Sequence, residues 1–399
     1  LSFSFITLGP FSSLFIFFII TLICLLFLYP VCLKKIYNRN YKNIIAILGL
    51  IFVSRCFIGL SHQIIFYGFD YFTDPSNYSA IYELEWMHKM LIRYSDPNSE
   101  IAPFFSFSIF SEGGIMRDKS AELHFYNSIV YRAFGNYSLN FIVWNSLHSA
   151  FICLFLSLSA LSLTKSQHIG YKTLLLSAFY PHGIFSNMLF RDITGLAILC
   201  LGVVVLIIAS ERNIITLTIF APLICFSGYL LREPYFALLL IIILFIAYQK
   251  MPKMHTFTFS LIILFISFIS FTSIYQVFMI GFFRYEYEGQ FLFFNIYQLI
   301  KNLKIFILGP FPFYQVFADI IGYEWQIQNY PLVIYNWVIF FVVIKNIRTI
   351  LNTNLKILFY ISMGFISSLI LFGQHMHIDY MVVGIVFLLP IIATFNYPY

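Results

Sequence analysis

Phe11-Ser-Ser-Leu-Phe-Ile-Phe-Phe-Ile-Ile-Thr-Leu-Ile-Cys-Leu-Leu-Phe-Leu-Tyr-Pro-Val31 runs twenty-one residues without a charge, and Lys34 and Lys35 follow it at once. About twenty apolar residues are what a helix needs to cross a bilayer, and a cationic stop is what holds its end in the headgroups. The run has no cationic segment before it, so it reads as a retained span and not as a cleaved signal peptide, even though the chain opens at Leu1. The rest of the 399 residues repeats the pattern: 60% are hydrophobic and 10% are charged. A soluble domain carries about 25% charged residues, so too few charges exist here to coat a globule. The unbroken apolar runs also exclude disorder and the alternating strands of an outer-membrane barrel. The expected fold is all-α: one polytopic membrane helical bundle over residues 1–399, with about eleven transmembrane helices.

The spans are expected near 11–31, 44–66, 139–163, 172–190, 193–210, 214–231, 235–249, 257–280, 331–344, 356–373 and 380–396. Cationic loops sort them by side. Lys34, Lys35, Arg39 and Lys42 follow the first span, Lys165 and Lys172 flank the third-to-fourth turn, and Arg212 follows the fifth. Lys250 and Lys253 follow the seventh, and Lys345, Arg348 and Lys356 the ninth. These are alternate loops, which places them in the cytoplasm, the N-terminus outside and the C-terminus inside. The segment Tyr67–Glu122 holds nine acids against four bases and suits the outside. Residues 67–138 therefore read as one long external loop carrying interfacial amphipathic helices, at about 77–91 and 120–134. The net charge of +6 is spread through short loops and is no nucleic-acid signal. The six cysteines form no C-x-x-C pair, so no metal or disulfide framework is expected. A cytoplasmic nucleotide site is not expected either, because no Gly-rich phosphate loop occurs.

The remaining charges gather on the outer side. Asp70 and Asp74 form a carboxylate pair at the start of the long loop, placed to take a proton from an acceptor hydroxyl. Arg191-Asp192 and Arg232-Glu233 each put an arginine directly before an acid at the start of a span. The acid suits the positive end of a helix dipole, and an N-cap with a snorkelling arginine would account for such a turn by itself. The recurrence on one face also suits phosphate: a guanidinium fork and a helix N-terminus both donate to its oxygens, and two such turns could hold a diphosphate leaving group. Arg284, Tyr285 and Glu286 add a third arginine beside aromatics and acids, a set that suits sugar rings or an ordinary aromatic belt. His375, His377 and Asp379 precede the last span and read as hydrogen-bonding partners for substrate, with no metal expected. Arg55 and His62 lie inside the second span, and a charge there is expected to face a partner or a cavity. Two prolines in Leu308-Gly-Pro310-Phe-Pro312 point to a re-entrant or broken segment.

The pattern resembles bacterial polysaccharide polymerases of the Wzy type, within the wider class of multi-pass lipid-sugar glycosyltransferases. Arg191 followed by ten residues and Gly202 fits one motif of the family, and Arg232 and Arg284 do not repeat it. The acidic first loop with Asp70 and Asp74 is similar to that of the lipid-linked glycosyltransferases. The resemblance implies a polyprenyl-diphosphate-linked sugar donor and transfer on the external face of the bacterial inner membrane. It implies no cofactor, and it implies a flippase and a chain-length regulator as partners. On this reading Asp70, Asp74 or Asp192 serves as base, and Arg191, Arg232 and Arg284 hold the diphosphate. A lipid-linked oligosaccharide flippase is the rival from another class; it should carry charges at mid-membrane and symmetric halves. An O-acetyltransferase is a third, and would need a His-centred site with an acyl donor route from the cytoplasm.

Overall fold

In the span read at 44–66, the buried positions Ile44, Ile45, Leu48, Ile51, Phe52, Arg55 and Cys56 recur at helical spacing, while Leu50, Val53, Phe57 and Ile58 face outward. One stripe of that helix belongs to the protein and the other to lipid. The computed structural model that gives this pattern describes residues 18–19, 41–67, 121–134, 138–180, 191–212, 243, 299–300, 302–303, 323–372 and 378–395. The described residues are helical, with no strand among them. The helices are α1 (Tyr41–Tyr67), α2 (Ala121–Phe134), α3 (Ser138–Thr164), α4 (Gln167–Phe179) and α5 (Arg191–Arg212), followed by α6 (Tyr323–Lys345), α7 (Ile347–Leu351), α8 (Lys356–Phe372), α9 (Ile378–Ile385) and α10 (Leu389–Ile392). Three segments are long and apolar enough to cross a membrane: Lys42–Ser61, Asn140–Thr164 and Ile193–Glu211. The described part is therefore all-helical, with three candidate membrane-spanning helices, as a membrane protein requires. The spans expected near 11–31 and at 214–231, 235–249 and 257–280 lie almost wholly outside the described residues, as does the Leu308–Pro312 segment.

The described helices divide into two compact units. The first holds α1, α2, the part of α3 up to Leu154, and the opening of α5 to Ala197. Here Phe18 stacks on Phe52 with ring centroids 5.4 Å apart. Three residues separate α2 from α3, and Asn140 Nδ2 donates to the Phe134 carbonyl at 3.0 Å. That bond satisfies one of the carbonyls a helix leaves open at its C-terminus.

The second unit holds the remainder of α3 and α5 with α4 and α6–α10. Its first feature is the α3–α4 hairpin. Lys165 takes a left-handed φ of 58°, the conformation that ends many helices, and its N–H reaches the Leu161 carbonyl at 2.8 Å. Ser166 then caps α4 by accepting from Ile169 N–H at 3.4 Å, an N-cap role suited to serine. Ser157 Oγ donates to the Gly170 carbonyl at 2.6 Å and closes the two helices on each other. Lys165 Nζ also meets Glu211 Oε2 at 2.6 Å on the surface. At the far end of α4, the Tyr180 hydroxyl donates to Asn336 Oδ1 of α6 at 2.7 Å.

The span expected at 331–344 extends in the N-terminal direction through Pro331, so that α6 starts at Tyr323. The last span, expected as one helix at 380–396, is broken: α9 gives way to a 3₁₀ turn at Val386–Leu388 before α10. Proline explains the break. Pro390 lacks the N–H that would reach the Val386 carbonyl four residues back, and the Leu389 N–H takes that carbonyl instead. The segment is buried along Val382–Ile391, with α9 against α8, and α10 against α4 and α6. Ala393 meets Ala160 and Ile169 in a small apolar cluster.

Close approach of α8 and α9 depends on Gly384. A Cβ there would lie 2.7 Å from Ile366 Cγ1 and 3.3 Å from Phe365 Cδ1. Small residues permit such helix contacts in membranes. Gly384→Val is expected to cost about 1–3 kcal/mol of stability by overpacking, read as a lower melting temperature of the detergent-purified protein, with Gly384→Ala falling between it and wild type. A Gly384→Val protein that melts with wild type would show that the two helices are not held this closely.

Candidate functional site

Within the span Asn140–Thr164, the opening turns carry a run of buried polar side chains: Asn140, Asn145, Ser146, His148 and Ser149. Asn140, Trp144 and His148 repeat every four residues and so share one face of α3. That face receives α2. Trp144 Nε1 donates to Asn127 Oδ1 at 3.0 Å. The Tyr126 hydroxyl and His148 Nε2 are 3.2 Å apart, and His148 Nδ1 is 2.8 Å from the Trp144 carbonyl. The rings pack as well: Trp144 lies 4.6 Å from His148 and 5.3 Å from Tyr126, and Phe151 closes the far side of the imidazole at 5.9 Å.

These contacts assign the protons. A carbonyl oxygen only accepts, so His148 Nδ1 carries hydrogen; in the neutral ring Nε2 then accepts, and the Tyr126 hydroxyl donates to it. Burial pushes the Tyr126 phenol above its ordinary value, because desolvation disfavours the phenolate. It remains a donor throughout the physiological range. Asn127 Nδ2 is fully buried and has no hydrogen-bond partner among the described residues.

A second set lies on α1. Arg55 is 7% exposed and sits on the buried stripe, where its charge has Cys153 of α3 within electrostatic reach. Its neighbour Cys56 lies beside Ser146. A guanidinium at that depth is costly unless the protein interior supplies partners, and the register of α1 turns it toward α3 and away from lipid. In the same unit Thr194 is fully buried in the first turns of α5. Its Oγ1 has no hydrogen-bond partner among the described residues.

Of the residues singled out in the sequence, Arg191 and Asp192 are the first two of α5, so the acid lies in the first turn of an apolar span where the helix dipole favours it. Asp379 is the second residue of α9. Asp70, Asp74, Arg232, Glu233, Arg284, Tyr285, Glu286, His375 and His377 lie outside the described residues. The long loop at 67–138 is described only from Ala121, where α2 begins. Among the described residues no three His, Cys, Asp or Glu side chains come together as a metal site.

Formal charge does not mark the α2–α3 network. Its signal in the sequence is Asn140, Trp144 and His148 at four-residue spacing inside an apolar run, with Asn145 beside them. Such groups need partners in a membrane, and the helix directly before supplies them. The network makes a test. Trp144→Phe keeps a ring but removes the donor to Asn127, leaving that buried amide without its bond. The cost of about 1–3 kcal/mol should fall on the docking of α2, so amides of 121–134 are expected to exchange with deuterium roughly ten- to hundredfold faster. Unchanged exchange would show that α2 is held by other means.

Comparison with models of known families, with curated proteins and with solved structures finds no match to this chain.

Proposed function

We propose that the chain is a membrane glycosyltransferase that polymerises polyprenyl-diphosphate-linked oligosaccharide repeats at the external face of the bacterial inner membrane, as an O-antigen or capsule polymerase. The observation that carries this reading is the start of α5. Arg191 and Asp192 open a helix whose next nineteen residues form a span. Arg191, Asp192 and a helix N-terminus thus fall together at one boundary of a candidate span, within the unit that also contains Arg55 and the polar face of α3. Anionic oxygens are what such a boundary suits.

In the full reading eleven spans run from an external N-terminus to a cytoplasmic C-terminus. Arg191, Arg232 and Arg284 hold the diphosphate and stabilise the charge it gains as it departs. Asp70, Asp74 or Asp192 accepts the proton of the attacking hydroxyl, with Glu233 at the second arginine turn. Tyr285, Glu286, His375, His377 and Asp379 line the path of the sugars. A flippase delivers the lipid-linked repeat, and a chain-length regulator acts on the product. Reporter fusions at the two termini check the topology: an external signal from the N-terminus and a cytoplasmic one from the C-terminus are expected, and the reverse would move every assigned residue to the wrong face.

A second reading is a lipid-linked oligosaccharide flippase. Buried Arg55 and the polar face of α3, both inside candidate spans, favour it, because transport sites are built from polar groups within spans. The glycan profile of a strain lacking the protein separates the two. Single repeats on the lipid anchor indicate the polymerase, and the absence of any repeat indicates the flippase. In the complemented strain, Arg191→Ala and Arg232→Ala are each expected to abolish long polymer while membrane levels of the protein persist. Normal chain-length ladders from both variants would remove the diphosphate role.

A further inference from the structure

The Tyr126–His148–Trp144 chain has a chemistry that the assignments above leave unused. We propose that Tyr126, backed by His148, receives the proton of the acceptor sugar hydroxyl during glycosyl transfer. This rests on the glycosyltransferase reading and puts Tyr126 in place of Asp70, Asp74 or Asp192 as the group that takes that proton.

The arrangement is a hydroxyl, an imidazole and a fixed acceptor behind the imidazole. Tyr126 Oη donates to His148 Nε2 across 3.2 Å, and His148 Nδ1–H is held by the Trp144 carbonyl across 2.8 Å. A base oriented by a third group is what activates a hydroxyl in many enzymes. The ring is also fixed by its neighbours, Trp144 at 4.6 Å and Phe151 at 5.9 Å, so no reorientation is needed before transfer. His148 is 2% exposed and is reached through Tyr126, which is half-buried and belongs to the short helix preceding the span. A clamp between α2 and α3 requires only hydrogen bonds, which amides supply at lower cost. An ionisable imidazole inside a span is by default a functional group.

The step balances as follows. The acceptor hydroxyl gives its proton to Tyr126 Oη while the Tyr126 proton passes to His148 Nε2. The electron pair released on the acceptor oxygen forms the new bond to the anomeric carbon. The bond from that carbon to the diphosphate oxygen breaks, and its electrons stay on the diphosphate. The imidazolium keeps its Nδ1–H on the Trp144 carbonyl and then returns a proton through Tyr126 to the departed diphosphate.

The test uses full-length protein in proteoliposomes, with the lipid-linked repeat extracted from the strain lacking the protein as donor and acceptor. His148→Gln keeps an acceptor for the Tyr126 hydroxyl but has no basic nitrogen, and Tyr126→Phe keeps the ring without the hydroxyl. Both are expected to lower the maximal transfer rate about a hundredfold or more, with the half-saturating donor concentration unchanged. Substituting 3-fluorotyrosine at 126 alters the acidity of the hydroxyl and little else, so it folds as wild type and is expected to shift the rate several-fold. His148→Gln at wild-type rate, or a rate indifferent to fluorination, overturns the relay while the glycosyltransferase reading stands. Wild-type protein that forms no polymer from this donor overturns both.

Discussion

A hydrocarbon interior offers no hydrogen bonds, so a polar group carried into it is stabilised by a partner within the protein. The described helices are arranged around that constraint. In the first unit, the guanidinium on α1 is turned inward by the same stripe that buries Ile44, Leu48 and Phe52. The polar face at the start of α3 is met by α2, which supplies Tyr126 and Asn127 to groups that would otherwise meet lipid. In the second unit the same demand produces single bonds in place of a network: Ser157 to the Gly170 carbonyl, Tyr180 to Asn336, and Asn302 to the Ile370 carbonyl. The first closes the α3–α4 hairpin and the other two join segments distant in sequence, and apolar packing fills in around them.

The long apolar runs made much of this legible in advance. The helices at Tyr41–Tyr67, Ser138–Thr164 and Arg191–Arg212 fall where unbroken hydrophobicity, with polar or charged flanks, leaves little alternative. The details that escaped are of another physical kind. The break before Pro390 depends on one missing N–H and the carbonyl four residues earlier, which a hydropathy reading averages away. The start of α6 upstream of Pro331 shows the opposite error, since a proline within a membrane helix need not end it. At the site, formal charge marked Arg55 and the Arg191–Asp192 turn. Neutral groups such as Asn127, Asn140 and His148 carry no such flag, and their significance appears only when two helices bring them together.

Charge and hydrogen bonding thus divide the labour in the first unit. The opening of α5 offers positive charge and a helix N-terminus, features that act over a distance and tolerate a mobile lipid-borne group. The α2–α3 contact offers short directional bonds between rings held on several sides. On the glycosyltransferase reading proposed above, transfer between two lipid-linked sugars would use both kinds of hold, one for a departing diphosphate and one for a single hydroxyl proton.

The 3₁₀ turn at Val386–Leu388 also sets an angle. Three residues advanced at three per turn rotate about 120° each, against about 100° in an α-helix, and rise about 2.0 Å each against 1.5 Å. Everything after the turn is therefore swung by roughly 60° and pushed about 1.5 Å further along. Ala393, which meets Ala160 and Ile169, lies beyond that offset. One proline thereby serves as a phase shifter, letting the last segment present one azimuth to α8 and another to the α3–α4 hairpin.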